Sequence, residues 1–152
     1  MTDQIRVMIV DDEAEIRNAI ERYLAFQTDF QDLVIIQANS FNEALTKLEE
    51  ENPLIVLQDI NLPDGNGLQF IRQTKKKYPM VQFIVITGAS DLDRAMEALS
   101  YGAADYIKKP LDMNILTVMM KEAVNRCRRW GELLWGEYAA ETKPVDETPS
   151  ES

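Results

Sequence analysis

The chain contains no histidine and a single cysteine, Cys127. The first absence removes Ser-His-Asp triads, histidine zinc sites and histidine general bases at once. Any histidine the chemistry requires must come from a partner. The second excludes a disulfide within the chain and fits a reducing compartment. Cations are also scarce: 16 Lys and Arg stand against 26 Asp and Glu, a formal charge of −10. That balance argues against direct binding to nucleic-acid phosphates, which needs a basic face. It suits cations or basic partner surfaces. No apolar run is long enough to span a bilayer. The start, MTDQIRVMIVDDE, breaks into acids too early for a secretory signal. The expectation is a cytoplasmic protein with no membrane contact.

What is present suffices for one core: 152 residues, 45% hydrophobic and 28% charged, which is about one domain by size. Short apolar runs alternate with helical patterns. IRVMIV (5–10), LVIIQA (33–38), LIVLQ (54–58), QFIVIT (82–87) and ADYIKK (104–109) read as strands. Between them, Ile16, Ile20, Tyr23 and Leu24 share one helical face. Ser40 precedes Glu43 by three, a capping-box signal for a helix over 41–51. The helix from Gly67 ends in Lys75, Lys76 and Lys77, read as a solvated end that suits the negative pole of the helix dipole. Ser90 and Asp91 open a fourth helix stopped by Gly102, and a fifth begins near Asp112.

The pattern is (βα)5. Apolar strands joined by helices predict a doubly wound α/β fold, with a five-stranded parallel sheet covered on both faces. Right-handed crossovers then bring every strand's C-terminal end to one edge. That edge carries the chemistry. Asp11, Asp12 and Glu13 follow the first strand, Asp59 the third, Thr87 the fourth, and Lys108 and Lys109 the fifth, before Pro110. The second strand ends blandly in Ala38 and Asn39. It takes the outer place if the strand order is 2-1-3-4-5.

Asp59 sits in LIVLQDINLPDGNG (54–67), where a buried strand breaks into a loop. Alone it reads equally as a turn-former, a metal ligand or a nucleophile. Brought beside Asp11 and Asp12 it would repel them, and a cation or a lysine relieves that. Mg2+ prefers carboxylate oxygens and water. Lys109 supplies a fixed positive charge and Thr87 a hydroxyl. Asn61 can offer its backbone carbonyl to a metal, and Gly65 and Gly67 let the loop turn tightly. A carboxylate nucleophile, a metal and donors for phosphoryl oxygens make a phosphoryl-transfer site.

IVDDE (9–13), LQDINLPDGNG (57–67), VITGA (85–89) and DYIKKP (105–110) together resemble a response-regulator receiver domain of the stand-alone chemotaxis type, over residues 5 to about 127. The resemblance implies a flavodoxin-like fold and two-component signalling. It implies Asp59 as phosphoacceptor, Asp11 and Asp12 as the acidic pair that organises Mg2+, and Asn61 as a metal ligand through its carbonyl. It also implies Thr87 as switch hydroxyl, Lys109 as the site lysine and Tyr106 as the switch aromatic. The phosphodonor would be a sensor histidine kinase or a histidine phosphotransfer protein. The only enzymatic acts expected are self-phosphorylation and autodephosphorylation. The responding surface would be the fourth helix, fifth strand and fifth helix, about 91–127, which meets a downstream protein or a second copy.

Two departures stand out: Gln58 and Leu54 replace residue types common in the family, both read as away from the chemistry. Residues 1–127 are taken as the receiver domain, 128–140 as an extension of the last helix, and 141–152 as an acidic disordered tail. Leu116, Met120, Ala123, Cys127, Trp130 and Leu134 form a heptad-like stripe. It serves core packing or a dimer equally well. Two other functions compete: a phosphorylation-independent interaction module, and an aspartyl-phosphate hydrolase, which lacks the second acid because position 61 is Asn.

Overall fold

The computed structural model describes residues 4–131. Five strands, β1 (Ile5–Val10), β2 (Leu33–Ala38), β3 (Ile55–Asp59), β4 (Gln82–Thr87) and β5 (Asp105–Lys108), pair in the order β2-β1-β3-β4-β5. Every pairing is parallel. The central strands β3 and β4 are buried along their whole length, whereas β2 and β5 at the sheet's edges are only partly covered. This burial is why the central runs read as unbroken apolar stretches instead of alternating ones.

The helices are α1 (Ala14–Ala25), α2 (Phe41–Glu51), α3 (Gly67–Lys77), α4 (Leu92–Ser100) and α5 (Met113–Trp130). The crossover from β1 to β2 runs one way and the later ones run the other, so the helices divide between two faces. Ile20 and Leu24 of α1 join Leu116, Met120, Ala123 and Cys127 of α5 over Val7, Ile9, Leu57 and Ile84. Ala44, Leu48, Phe70, Ile71 and Ala98 of α2–α4 cover Met8, Val10, Val56 and Phe83. The stripe on α5 is therefore core packing as far as Cys127. Leu134, like all of 132–152, lies outside the described residues. Burial raises the pKa of the Cys127 thiol.

α5 continues three residues past Cys127, and buried Gln82 grips the turn just before its end. Gln82 Nε2 donates to the Ala123 carbonyl at 2.8 Å, and Arg126 Nε donates back to Gln82 Oε1 at 2.6 Å. Among the described residues no helix is long and apolar enough to cross a membrane.

Local signals explain the helix ends. Ser40 Oγ accepts from the Glu43 N–H at 3.0 Å, and Glu43 reaches back to the N–H of Asn39 at 2.7 Å. This is the capping box, displaced by one residue on its return arm. Gly102 adopts φ +108 after α4, a left-handed stop that suits glycine. The lysine run is not wholly solvated. Lys75 Nζ folds back onto the carbonyls of Pro79 and Val81 at 2.8 and 2.9 Å, and burial lowers its pKa. It closes the helix end by hydrogen bonding as well as by charge. A 3₁₀ turn over Ala89–Asp91 precedes α4, so the helix starts one residue later than its polar opening suggests.

Candidate functional site

Parallel pairing delivers the C-terminal ends of β1, β3, β4 and β5 to a single edge. Asp59 lies opposite Ile86, and Thr87 opposite Lys108. The loop after β3 is pinned at several points. Ile60 and Leu62 are buried anchors. Asp64 accepts the N–H groups of Phe41 and Asn42 at 3.1 Å each, so it caps α2 from outside. Asn66 caps α3 through Leu68 and Gln69. The loop after β3 is thus held by two helix N-termini as well as by its core residues.

Asp11, Asp12 and Asp59 each place a carboxylate oxygen within 4.8 Å of the others. Asp11 and Asp59 are buried, and Asp12 is exposed. Lys109 Nζ stands 3.0 Å from Asp59 Oδ2, 3.3 Å from Asp11 Oδ2 and 3.8 Å from Glu13 Oε1. Asp59 Oδ1 accepts the N–H of Asn61 at 2.8 Å. Asp11 Oδ1 accepts that of Glu13 at 2.8 Å. Asp11 Oδ2 is buried and no donor is aligned to hydrogen-bond it.

Burial pushes the Asp11 carboxyl up to about 6, and the Asp59 charge adds to this against the pull of the Glu13 N–H and Lys109. Burial opposes the charge on Lys109, but Asp59 and Asp11 outweigh it and raise its pKa. Three carboxylates against one lysine leave an excess of negative charge. A small hard cation beside these carboxylates would balance it. The cluster of Asp11, Asp12 and Asp59 carboxylates fits Mg2+ and would hold it, with the Asn61 carbonyl as the expected fourth contributor.

The remaining expected residues are placed differently. Thr87 is buried, and its hydroxyl is turned to the carbonyls of Gly88 and Asp91 at 3.2 and 3.4 Å, toward the start of α4. Tyr106 is half-buried on β5 beside Val85 and packs against the α2–α4 side of the core. Lys108 is exposed. The Lys109–Pro110 peptide is cis.

Gln58 and Arg17, outside the expected set, also touch the site. Gln58 is fully buried and donates to the carbonyl of Asp59 at 3.0 Å, so it is no bystander, while its own Oε1 has no partner. Arg17 Nη1 donates to the Asp11 carbonyl at 2.6 Å and its Nε to Gln37 Oε1 at 2.9 Å, which ties α1 to the acidic pair and to β2. The end of β2 is therefore less bland than its sequence.

The family described as response regulator receiver domain matches residues 7–121. The chain belongs to that family. Receiver domains are the phosphorylation-activated switches of two-component signalling, and an acidic Mg2+-binding pocket is a general feature of theirs. The DNA-binding transcriptional regulator NtrC of Salmonella typhimurium is 35% identical over 119 residues, which cover 78% of this chain and 24% of that protein. The transcriptional regulatory protein MalR of Bacillus subtilis is 38% identical over 108 residues, 71% of this chain and 45% of the relative. The receiver domain thus spans from about a quarter to under half the length of these curated relatives. Among solved structures, a CheY-like receiver domain protein from Methanospirillum hungatei superposes with a TM-score of 0.75 at 29% identity, covering 85% of this chain and 100% of the other.

The electrostatics of the receiver site give a signed pH dependence. A carboxyl whose pKa is about 6 folded and 3.8 unfolded stabilises the fold fully below pH 3.8 and loses that contribution as pH rises through 6. In metal-free buffer Asp11→Asn is therefore expected to be the more stable protein at pH 7.5, by on the order of 2 kcal/mol. The gap should close toward pH 4.5. Paired urea melts of wild type and variant across that range check it, and a gap independent of pH would refute it.

Proposed function

We propose that residues 1–127 form a switch that accepts a phosphoryl group on Asp59, with Asp11, Asp12, Asp59 and the Asn61 carbonyl holding Mg2+. The observation that carries this reading is Asp59 itself. It is a nearly buried carboxylate that shares Lys109 with a second buried acid, Asp11, beside exposed Asp12. A carboxylate oxygen of Asp59 attacks the phosphorus of a partner's phosphohistidine. The new P–O bond forms as the P–N bond breaks, and the departing imidazole takes up a proton. Mg2+, when bound, supplies charge neutralisation for the phosphoryl oxygens. Lys109 already sits at hydrogen-bond distance from Asp59 and stabilises the added negative charge. In loss, a water oxygen forms a new bond to phosphorus as the bond from the Asp59 oxygen breaks, which releases inorganic phosphate and restores the carboxylate.

The partner is a sensor histidine kinase or a histidine phosphotransfer protein, consistent with a chain that has no histidine of its own. Thr87 turns from the Asp91 carbonyl toward the new phosphoryl oxygens, and Tyr106 moves inward in the space this leaves. The α4–β5–α5 face then shifts its population toward the active form. Leu92 and Met96 on α4 and Ile115 and Val118 on α5 are large apolar side chains exposed by 46–57%, which supports a docking surface there. A downstream protein or a second copy of the chain is its occupant.

The test is intact mass after incubation with a small phosphodonor, with and without Mg2+. One phosphoryl adduct that requires the metal and maps to Asp59 is expected. An adduct of equal yield in the absence of divalent cation, or one that maps elsewhere, would overturn the reading.

A further inference from the structure

The Asp59 side chain is only 5% exposed, yet a donor must reach it. Lys109 occupies its Oδ2 side, and the Asn61 N–H caps its Oδ1 side. The Asn61 side chain does not hang free in solvent. Arg94 of α4 donates from Nη1 to Asn61 Oδ1, and Asn61 Nδ2 donates to Asp91 Oδ2 at 2.6 Å. Arg94 Nη2 lies 3.4 Å from the Ile60 carbonyl. Both polar ends of the amide are therefore taken, and both partners come from the beginning of α4, some thirty residues away in sequence. The carbonyl of Asp91 also accepts the Thr87 hydroxyl.

We infer that Arg94 and Asp91 form a clasp on Asn61, whose backbone N–H caps Asp59, and that opening this clasp limits how fast the site gains and loses a phosphoryl group. The inference rests on Asp59 as the acceptor. Arg94 is a positioning residue here: it acts on the reaction through Asn61. Arg94 is partly exposed, so the contact is of the modest surface kind and opens readily. A gate lies on the path in both directions, so removing it speeds gain and loss together. A ligand of the phosphoryl group behaves differently: its removal slows gain, because the contact stabilises the phosphoryl group as it is transferred. The clasp also links the access route to the segment that receives the Thr87 hydroxyl. Arrival of a phosphoryl group and release of α4 would then be two readings of one set of contacts.

The test measures phosphorylation by a small phosphodonor and, after its removal, the decay of the adduct, both by intact mass. Arg94→Ala is expected to raise both rates by about five-fold, the equivalent of losing one surface charged contact. Arg94→Lys keeps the charge but not the planar grip and should fall between. In an Asn61→Ala background, Arg94→Ala should add nothing. Asp91→Asn weakens the same clasp from its other partner and serves if Arg94→Ala does not fold. Slower gain would make Arg94 a phosphoryl ligand and overturn the gate. Unchanged rates in both variants, or additive effects with Asn61→Ala, would overturn it too. Failure of the acceptor reading looks different: wild type itself would carry no adduct at Asp59.

Discussion

Asp59→Asn will take up no phosphoryl group and will nevertheless unfold at a higher temperature than wild type in metal-free buffer. The first half follows from chemistry. A carboxamide oxygen is a poor nucleophile and carries no charge to direct to phosphorus, so the adduct should fall by at least about a thousand-fold, beyond detection by intact mass. The second half follows from the charges around the site. Asp59 and Asp11 are both buried and their like charges oppose each other; burial is the main cause of the raised Asp11 pKa, and the Asp59 charge adds to it. Replacing one carboxylate with an amide of the same shape removes that repulsion. The variant does take one partner from Lys109. That lysine keeps Asp11 at 3.3 Å and is 28% exposed, so it is left neither unpaired nor dry. The balance favours the variant by on the order of 1 kcal/mol. Adding Mg2+ should shrink the gap, because the cation relieves the same repulsion in wild type and loses a ligand in the variant. A variant less stable than wild type would mean that the Lys109–Asp59 pair outweighs the repulsion.

How such a site is legible at all depends on the architecture. In a parallel sheet with right-handed crossovers, the last residue of each strand lands on one edge whatever the helices contain. Recognising five apolar runs was therefore enough to bring Asp11, Asp59, Thr87 and Lys109 together, although they are spread over nearly a hundred residues. Strand signals are also local. β1, β2 and β4 occupy the stretches read from their apolar residues, and β3 and β5 differ by one residue at their ends. Side-chain pairings are another matter. Nothing near Arg94 in sequence marks it as a partner of Asn61, and Gln58 looks like a misplaced polar residue until its bond to the Asp59 carbonyl is seen. Lys75 reads as one of three equivalent lysines, but only it sits where the chain after α3 returns its carbonyls. These contacts depend on rotamers and on the fall of loops, which apolar periodicity does not encode. Of the acidic pair, Asp11 is buried because it continues directly from the buried end of β1, and Asp12 is exposed because it stands at the bend leading into α1. The sequence shows two equal acids; the turn of the chain after β1 makes them unequal.

Gly67→Ala will cost the fold about 3 kcal/mol or more, because the added methyl group meets backbone that cannot move aside. The glycine looks like a turn residue, chosen for conformational freedom. Its role in the structure is close approach. A Cβ at 67 would lie 2.6 Å from the Cα of Ile60, 2.7 Å from its carbonyl oxygen and 2.8 Å from its Cβ. The first two are backbone atoms, and Ile60 is itself fully buried, so neither side can swing away. Gly65 makes the useful contrast. A Cβ there would meet the ring edge of Phe41 at 2.9 Å, a side-chain contact that gives with a small rotation of the ring. Gly65→Ala should accordingly lose well under half as much in the same urea melts. The consequence for function follows from position: Ile60 is the residue after Asp59. Relief of the clash at 67 must displace either the first turn of α3 or the backbone that aims the acceptor carboxylate and the Asn61 N–H. Phosphorylation of Gly67→Ala should therefore slow even at a temperature where it is fully folded. If the variant were destabilised but phosphorylated at the wild-type rate, the strain would have been taken up entirely by α3. If it were as stable as wild type, the loop and the helix would not be packed against each other as tightly as these distances require.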